Sequence, residues 1–121
     1  MPRPRKWRRV CSLPDASRFG PLDVDVDVAD RIIMTVDEYE TIRLIDLEGF
    51  TQNECAEQMH VSRTTVQGVY AQARQKLADS LVNGKPLWIE GGDYQICDGR
   101  GRGCGRGCRR RRRGNADGNL P

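Results

Sequence analysis

The stretch Gly49–Leu77, GFTQNECAEQMHVSRTTVQGVYAQARQKL, decides how the chain is read. Thr51-Gln-Asn-Glu54 forms a capping box, in which the Thr hydroxyl and the Glu carboxylate each satisfy a backbone N–H that a first helical turn leaves unbonded. It opens a short helix carrying Cys55, Ala56 and Met59. A break follows at His60 and Val61. Ser62 then caps a long helix whose apolar positions are Val66, Val69, Tyr70, Ala73, Leu77 and Leu81, mostly at spacings of three and four. Two helices that cross at a tight turn need a small residue at the crossing, and Ala56 supplies it. Cys55, Met59, Val61, Val66 and Val69 close the contact. Ser62, Arg63, Thr64, Thr65 and Gln67 stay polar at the N-terminal end of the second helix, the end that such pairs present to base edges in a DNA groove.

Upstream, Thr35-Val-Asp-Glu38 is another capping box. It starts a helix with Tyr39, Ile42, Leu44, Ile45 and Leu47 on a broad apolar face. Gly49 stops that helix, and Phe50 folds back on its last turn. Further upstream, LDVDVDV (residues 22–28) alternates apolar and acidic residues and reads as a short strand or an extended linker. A calcium loop on Asp23, Asp25 and Asp27 fails, because Val28 stands where the loop needs Gly and Met34 where it needs Glu. Downstream, Asn83-Gly84 ends the long helix. Lys85–Glu90 and Asp93–Cys97 read as two short strands joined by a Gly91-Gly92 hairpin turn.

The expected fold is mainly α: a three-helix helix-turn-helix core, a small C-terminal β-hairpin and disordered basic tails. The divisions are a basic N-terminal arm (1–21), where Pro2, Pro4 and Pro14 disfavour regular structure, a helix-turn-helix domain (22–82), a short β element (83–97) and a Gly/Arg/Cys tail (98–121) with almost nothing apolar.

Gly49–Leu77 resembles the helix-turn-helix superfamily, and within it the promoter-recognition domain at the C-terminal end of bacterial sigma factors. His60 departs from that pattern, which usually has Gly at the turn, although His tolerates positive φ better than most residues. Over most of the chain, RPRKWRRV, VDEYETIRLIDLEGFTQNECAEQMHVSRTTV and GKPLWIEGG are similar to a small prokaryotic family of predicted DNA-binding proteins, the domain of unknown function numbered 134. The resemblance implies DNA binding by the helix pair and no defined regulon. Members often have Cys where this chain has Trp7.

Charge supports a polyanionic partner. The 121 residues carry a net charge of +3, but unevenly. Residues 1–9 hold five Lys or Arg and no acid, and residues 100–121 hold eight Arg and one Asp. Residues 10–99 hold seven bases against sixteen acids, so the arms must offset an acidic centre on DNA. The expected partner is double-stranded DNA. Arg63 suits guanine O6 and N7, and Gln67 suits adenine. Ser62, Thr64, Thr65 and Arg74 suit phosphate. Arg3, Arg5, Lys6, Arg8 and Arg9 would line a minor groove or follow the backbone. The alternative is an accessory protein that binds RNA or single strands through its Arg/Gly tail without sequence preference.

Cys97, Cys104 and Cys108 are candidate ligands for zinc or an iron–sulfur cluster, with Cys11 as a fourth, although no CxxC pair exists. Otherwise no cofactor is expected. The N-terminus has no secretory h-region, so a disulfide scaffold is not expected and a cytoplasmic location is. No run is long and apolar enough to span a membrane. With one His, no G-x-S-x-G and no P-loop, an enzyme is not expected. A homodimer is compatible with the packing of such domains, but the sequence names no interface and no contact with RNA polymerase.

Overall fold

Thr35 accepts a hydrogen bond from Glu38 N–H while the Glu38 carboxylate accepts one from Thr35 N–H, so the first capping box is complete. It opens α1 (Val36–Thr41) in the computed structural model, which describes residues 8–97. Without a break the chain widens into a π-helical stretch, Ile42–Leu47. In that stretch Arg43 and Leu44 face inward, as Glu40 of α1 does, and Leu47, expected on the apolar face, is exposed. Phe50 donates its N–H to the Leu44 carbonyl at 2.9 Å and is buried. The second capping box, Thr51 with Glu54, starts α2 (Gln52–Met59). His60 ends α2 in the left-handed region at φ 59°, and Ser62 caps α3 (Arg63–Asn83), which Gly84 closes at φ 66°.

The described residues also form five short strands: β1 (Arg8–Val10), β2 (Arg18–Phe19), β3 (Ile32–Met34), β4 (Leu87–Ile89) and β5 (Tyr94–Ile96). β4 is the middle strand of a three-stranded sheet, antiparallel to β2 and parallel to β3, with Met34 opposite Ile89. β1 and β5 form a separate parallel pair with Val10 opposite Ile96. Helices and strands share one core, in which Val10, Met34, Leu87 and Ile89 of the strands meet Leu44, Met59, Val66 and Ala73 of the helices. The class is therefore mixed α/β rather than mainly α.

Two expectations are corrected here. The C-terminal hairpin does not form, because β4 and β5 belong to different sheets. Each finds a partner distant in sequence, and Gly91 and Gly92, at φ 75° and 106°, carry the chain across the start of α1. There Val36 N–H donates to the Gly91 carbonyl at 2.9 Å, and a Cβ on Gly92 would collide with Asp37 Oδ1. The described part of the N-terminal arm is not a free arm: β1 and β2 are built into the two sheets, and Val10 is buried in the core. Residues 22–28 take the extended-linker form rather than a strand and lie exposed up to a 3-10 turn at Val28–Asp30. The C-terminal tail, 98–121, lies outside the described residues.

Candidate nucleic-acid interface

The N-terminal turns of α3 are held by their cap and by the packing behind them. Ser62 Oγ accepts from Thr65 N–H at 3.1 Å and lies 2.9 Å from Thr65 Oγ1, so both hydroxyls are engaged in fixing the first turn. Val66 and Ala73 anchor the inner face against α1 and α2. Arg63, Thr64 and Gln67 project from the outer face into solvent, and among the described residues Arg63 engages no carboxylate. From Val61 to Ala78 the chain contains no acid at all. Gly68 lies on the same outer face, and a Cβ there would meet nothing within 4 Å. Gln72 and Gln75 extend this polar face one to two turns further. Their spacing from Thr64 and Gly68 is the signal in the sequence that places them on it.

Beside this face runs a polar groove of about 490 Å³, between Thr64, Thr65 and Gly68 of α3 and the start of α1. Its floor is acidic but engaged. Asp37, buried, pairs through Oδ2 with Arg8. Glu38 Oε1 accepts from Lys76 Nζ at 2.7 Å. On the other flank Arg74 donates to Asp46 Oδ1 at 2.9 Å and to the Tyr70 hydroxyl, which itself donates to Asp46 at 2.8 Å. Desolvation and the hydrogen bond to Asp46 raise the Tyr70 phenol, and the Arg74 guanidinium is raised by Tyr70 and Asp46. The cations of this region therefore differ: Arg74 and Lys76 neutralise carboxylates of the fold, and Arg63 does not.

The same distinction applies to the arm. Arg8 is spent on Asp37, and Arg9 Nε donates to the main-chain carbonyl of Gln58 at 3.0 Å. Both are expected DNA contacts, and within the fold both tie β1 to α1 and α2. Arg3, Arg5 and Lys6 lie outside the described residues.

Among the cysteines, Cys55 is buried in α2 with Sγ 3.7 Å from Met59 Sδ. Burial, with the nearby Glu40 charge adding to it, pushes its thiol up to about 12. Cys11 and Cys97 follow paired positions at the ends of β1 and β5, with Cys97 N–H donating to the Val10 carbonyl at 2.7 Å. Cys11 is disulfide-bonded, which removes it from the thiols available as a fourth ligand. Cys104 and Cys108 lie outside the described residues. Among the described residues no three His, Cys, Asp or Glu side chains come together as a metal site. No helix among them is long and apolar enough to cross a membrane.

These features define a small mixed α/β protein whose long helix offers a polar, acid-free end to solvent. The family described as Protein of unknown function DUF134 matches residues 1–97, and the chain belongs to that family. A UPF0251 protein of Desulfitobacterium hafniense strain Y51 is 68% identical over 113 residues, covering 93% of this chain and 90% of that one. A UPF0251 protein of Caldanaerobacter subterraneus subsp. tengcongensis is 50% identical over 105 residues, covering 85% and 89%. One of Halothermothrix orenii is 46% identical over 96 residues, covering 79% and 71%. No solved structure matches the chain.

Proposed function

We propose that this chain binds double-stranded DNA sequence-selectively and regulates transcription, with α2, the His60 turn and α3 acting as a helix-turn-helix similar to the promoter-recognition domain of sigma factors. The observation that carries the reading is the N-terminal end of α3: Arg63, Thr64 and Gln67 are exposed on a face without acids, while Val66 behind them is buried. Ala56, buried in α2, permits close approach of the two helices, and His60 supplies the left-handed turn. In the major groove Arg63 would donate bidentately to guanine O6 and N7, and Gln67 would pair with adenine N6 and N7. Thr64 and the free N–H groups of the first turn would face a phosphate. Residues 3–6 and the Arg-rich tail supply the cations that offset the acidic centre, since Arg8, Arg74 and Lys76 already hold carboxylates.

Selection from a random duplex library with the full chain tests the proposal. Enrichment of a defined site is the expected result. Arg63→Ala should relax preference at one base pair, by about 1–3 kcal/mol. Equal retention of all duplexes, or stronger retention of single strands, overturns it in favour of binding through the Arg/Gly tail.

A further inference from the structure

At the far end of α3 the chemistry reverses. Leu81 and Val82 in its last turn are 86% and 78% exposed, where a solvated helix end ordinarily carries charge. Phe19 of β2 and Leu22 and Val24 of the segment that follows are also exposed. Beneath them lies an apolar groove of about 910 Å³, whose walls include Leu77, Met34, Ile42 and Ile89.

We infer that a second copy of this chain docks on this surface, forming a two-fold dimer in which Leu81 and Val82 of each copy fill the groove of the other. Area is the first argument. Phe19, Val24, Leu81 and Val82, all lining the groove, together expose roughly 500 Å². That is towards the upper end of what a soluble monomer leaves uncovered, about 300–600 Å². It supplies most of the ~800 Å² that each partner of a stable dimer buries.

Shape is the second argument. A closed two-fold contact needs one patch that is both knob and hole, and here Leu81 and Val82 project from the rim of the groove they border. Composition excludes the chain's own C-terminal segment as the cover, because residues 98–121 hold one large aliphatic residue, Leu120, among eight Arg and seven Gly. The dimer stands without the DNA reading. It leaves that reading open, since α3 is 21 residues long and places Ser62 about 30 Å from the interface.

The test is sedimentation velocity on the nuclease-treated full chain in about 0.5 M salt, where charge contacts are screened and apolar ones are not. The expected species has twice the 13.7 kDa chain mass. Leu81→Asp with Val82→Asp should shift it to monomer with unchanged helical circular dichroism. Val24→Asp, in a segment outside any helix or strand, should weaken association without touching α3. Leu47→Asp, at an exposed leucine off the patch, should leave the dimer intact. A monomeric wild type, or a dimer that survives both patch variants, overturns the inference. DNA is absent throughout, so failure here is separate from failure of the DNA reading.

Discussion

Glu40 and Arg43, one on α1 and the other in the π-helical stretch that continues it, form a bidentate ion pair at 2.8 and 2.9 Å with almost no exposure to solvent. Glu40 also accepts the Cys11 main-chain N–H at 3.0 Å, so the pair fixes the end of β1 to the helix. Burial alone would lower the Arg43 guanidinium, but the hydrogen bonds and charge of Glu40 outweigh it and raise it. Removing one partner strands a buried charge. Arg43→Met should therefore cost about 3–5 kcal/mol in urea unfolding, whereas Glu40→Met with Arg43→Met should recover much of that loss.

Cys55 links stability to alkaline pH. Its thiol titrates near 9.0 when unfolded and near 12 when folded. The folded state therefore holds the proton more tightly. The stabilisation is fully present below the unfolded value and is lost as pH rises from 9 towards 12, at up to about 1.4 kcal/mol per unit. Cys55→Ala should flatten the stability–pH curve in that window relative to the wild type. The native thiol should also resist alkylation at neutral pH, where an exposed one reacts. Rapid native labelling of Cys55 would contradict its burial.

Two glycines should respond in opposite directions. Gly68→Ala on the open face of α3 should stabilise the fold by about 0.5–1 kcal/mol, because Ala favours the helix and meets no neighbour. Gly92→Ala should destabilise it by more than about 1 kcal/mol, since φ 106° and the approach of Asp37 Oδ1 both exclude a side chain. Thermal unfolding of the two variants reads both signs.

Salt should report which cations meet DNA. With about six arm and tail cations on phosphates, log K should fall with log salt at a slope near −5. Deleting residues 98–121 should make the slope shallower. Arg74→Ala should barely change it, because Arg74 already pairs with Asp46. An unchanged slope after the deletion would remove the tail from the interface.

The helix starts and the turn were legible because their chemistry is local. Thr35 with Glu38, Thr51 with Glu54, and Ser62 satisfy donors within three residues, so the pattern alone places them. The strands were legible only in part: β4 and β5 fall inside the two stretches expected as strands, whereas β1, β2, β3 and every pairing were not read. Each spans two or three residues, and β1 pairs with β5 from the opposite end of the described chain, which no local pattern encodes. The same distance hides the partners of Arg8 and Arg9: in sequence they belong to a run of cations, and only packing brings Asp37 and the Gln58 carbonyl to them. Leu47 left its expected apolar face because the π-helical stretch that carries it departs from the α-helical period. At the candidate site the exposure of Arg63 and Gln67 was readable from helical spacing, whereas the engagement of Arg74 by Asp46 was not.

The most direct measurement is the affinity of Arg63→Ala with Gln67→Ala for a selected duplex and for a scrambled duplex of equal length, at one salt concentration. Both side chains are exposed, so the fold should survive the change. The account predicts a loss of at least about tenfold on the selected duplex and nearly none on the scrambled one, because these groups read bases and the arms read phosphate. Equal affinity of variant and wild type for the selected duplex would contradict it.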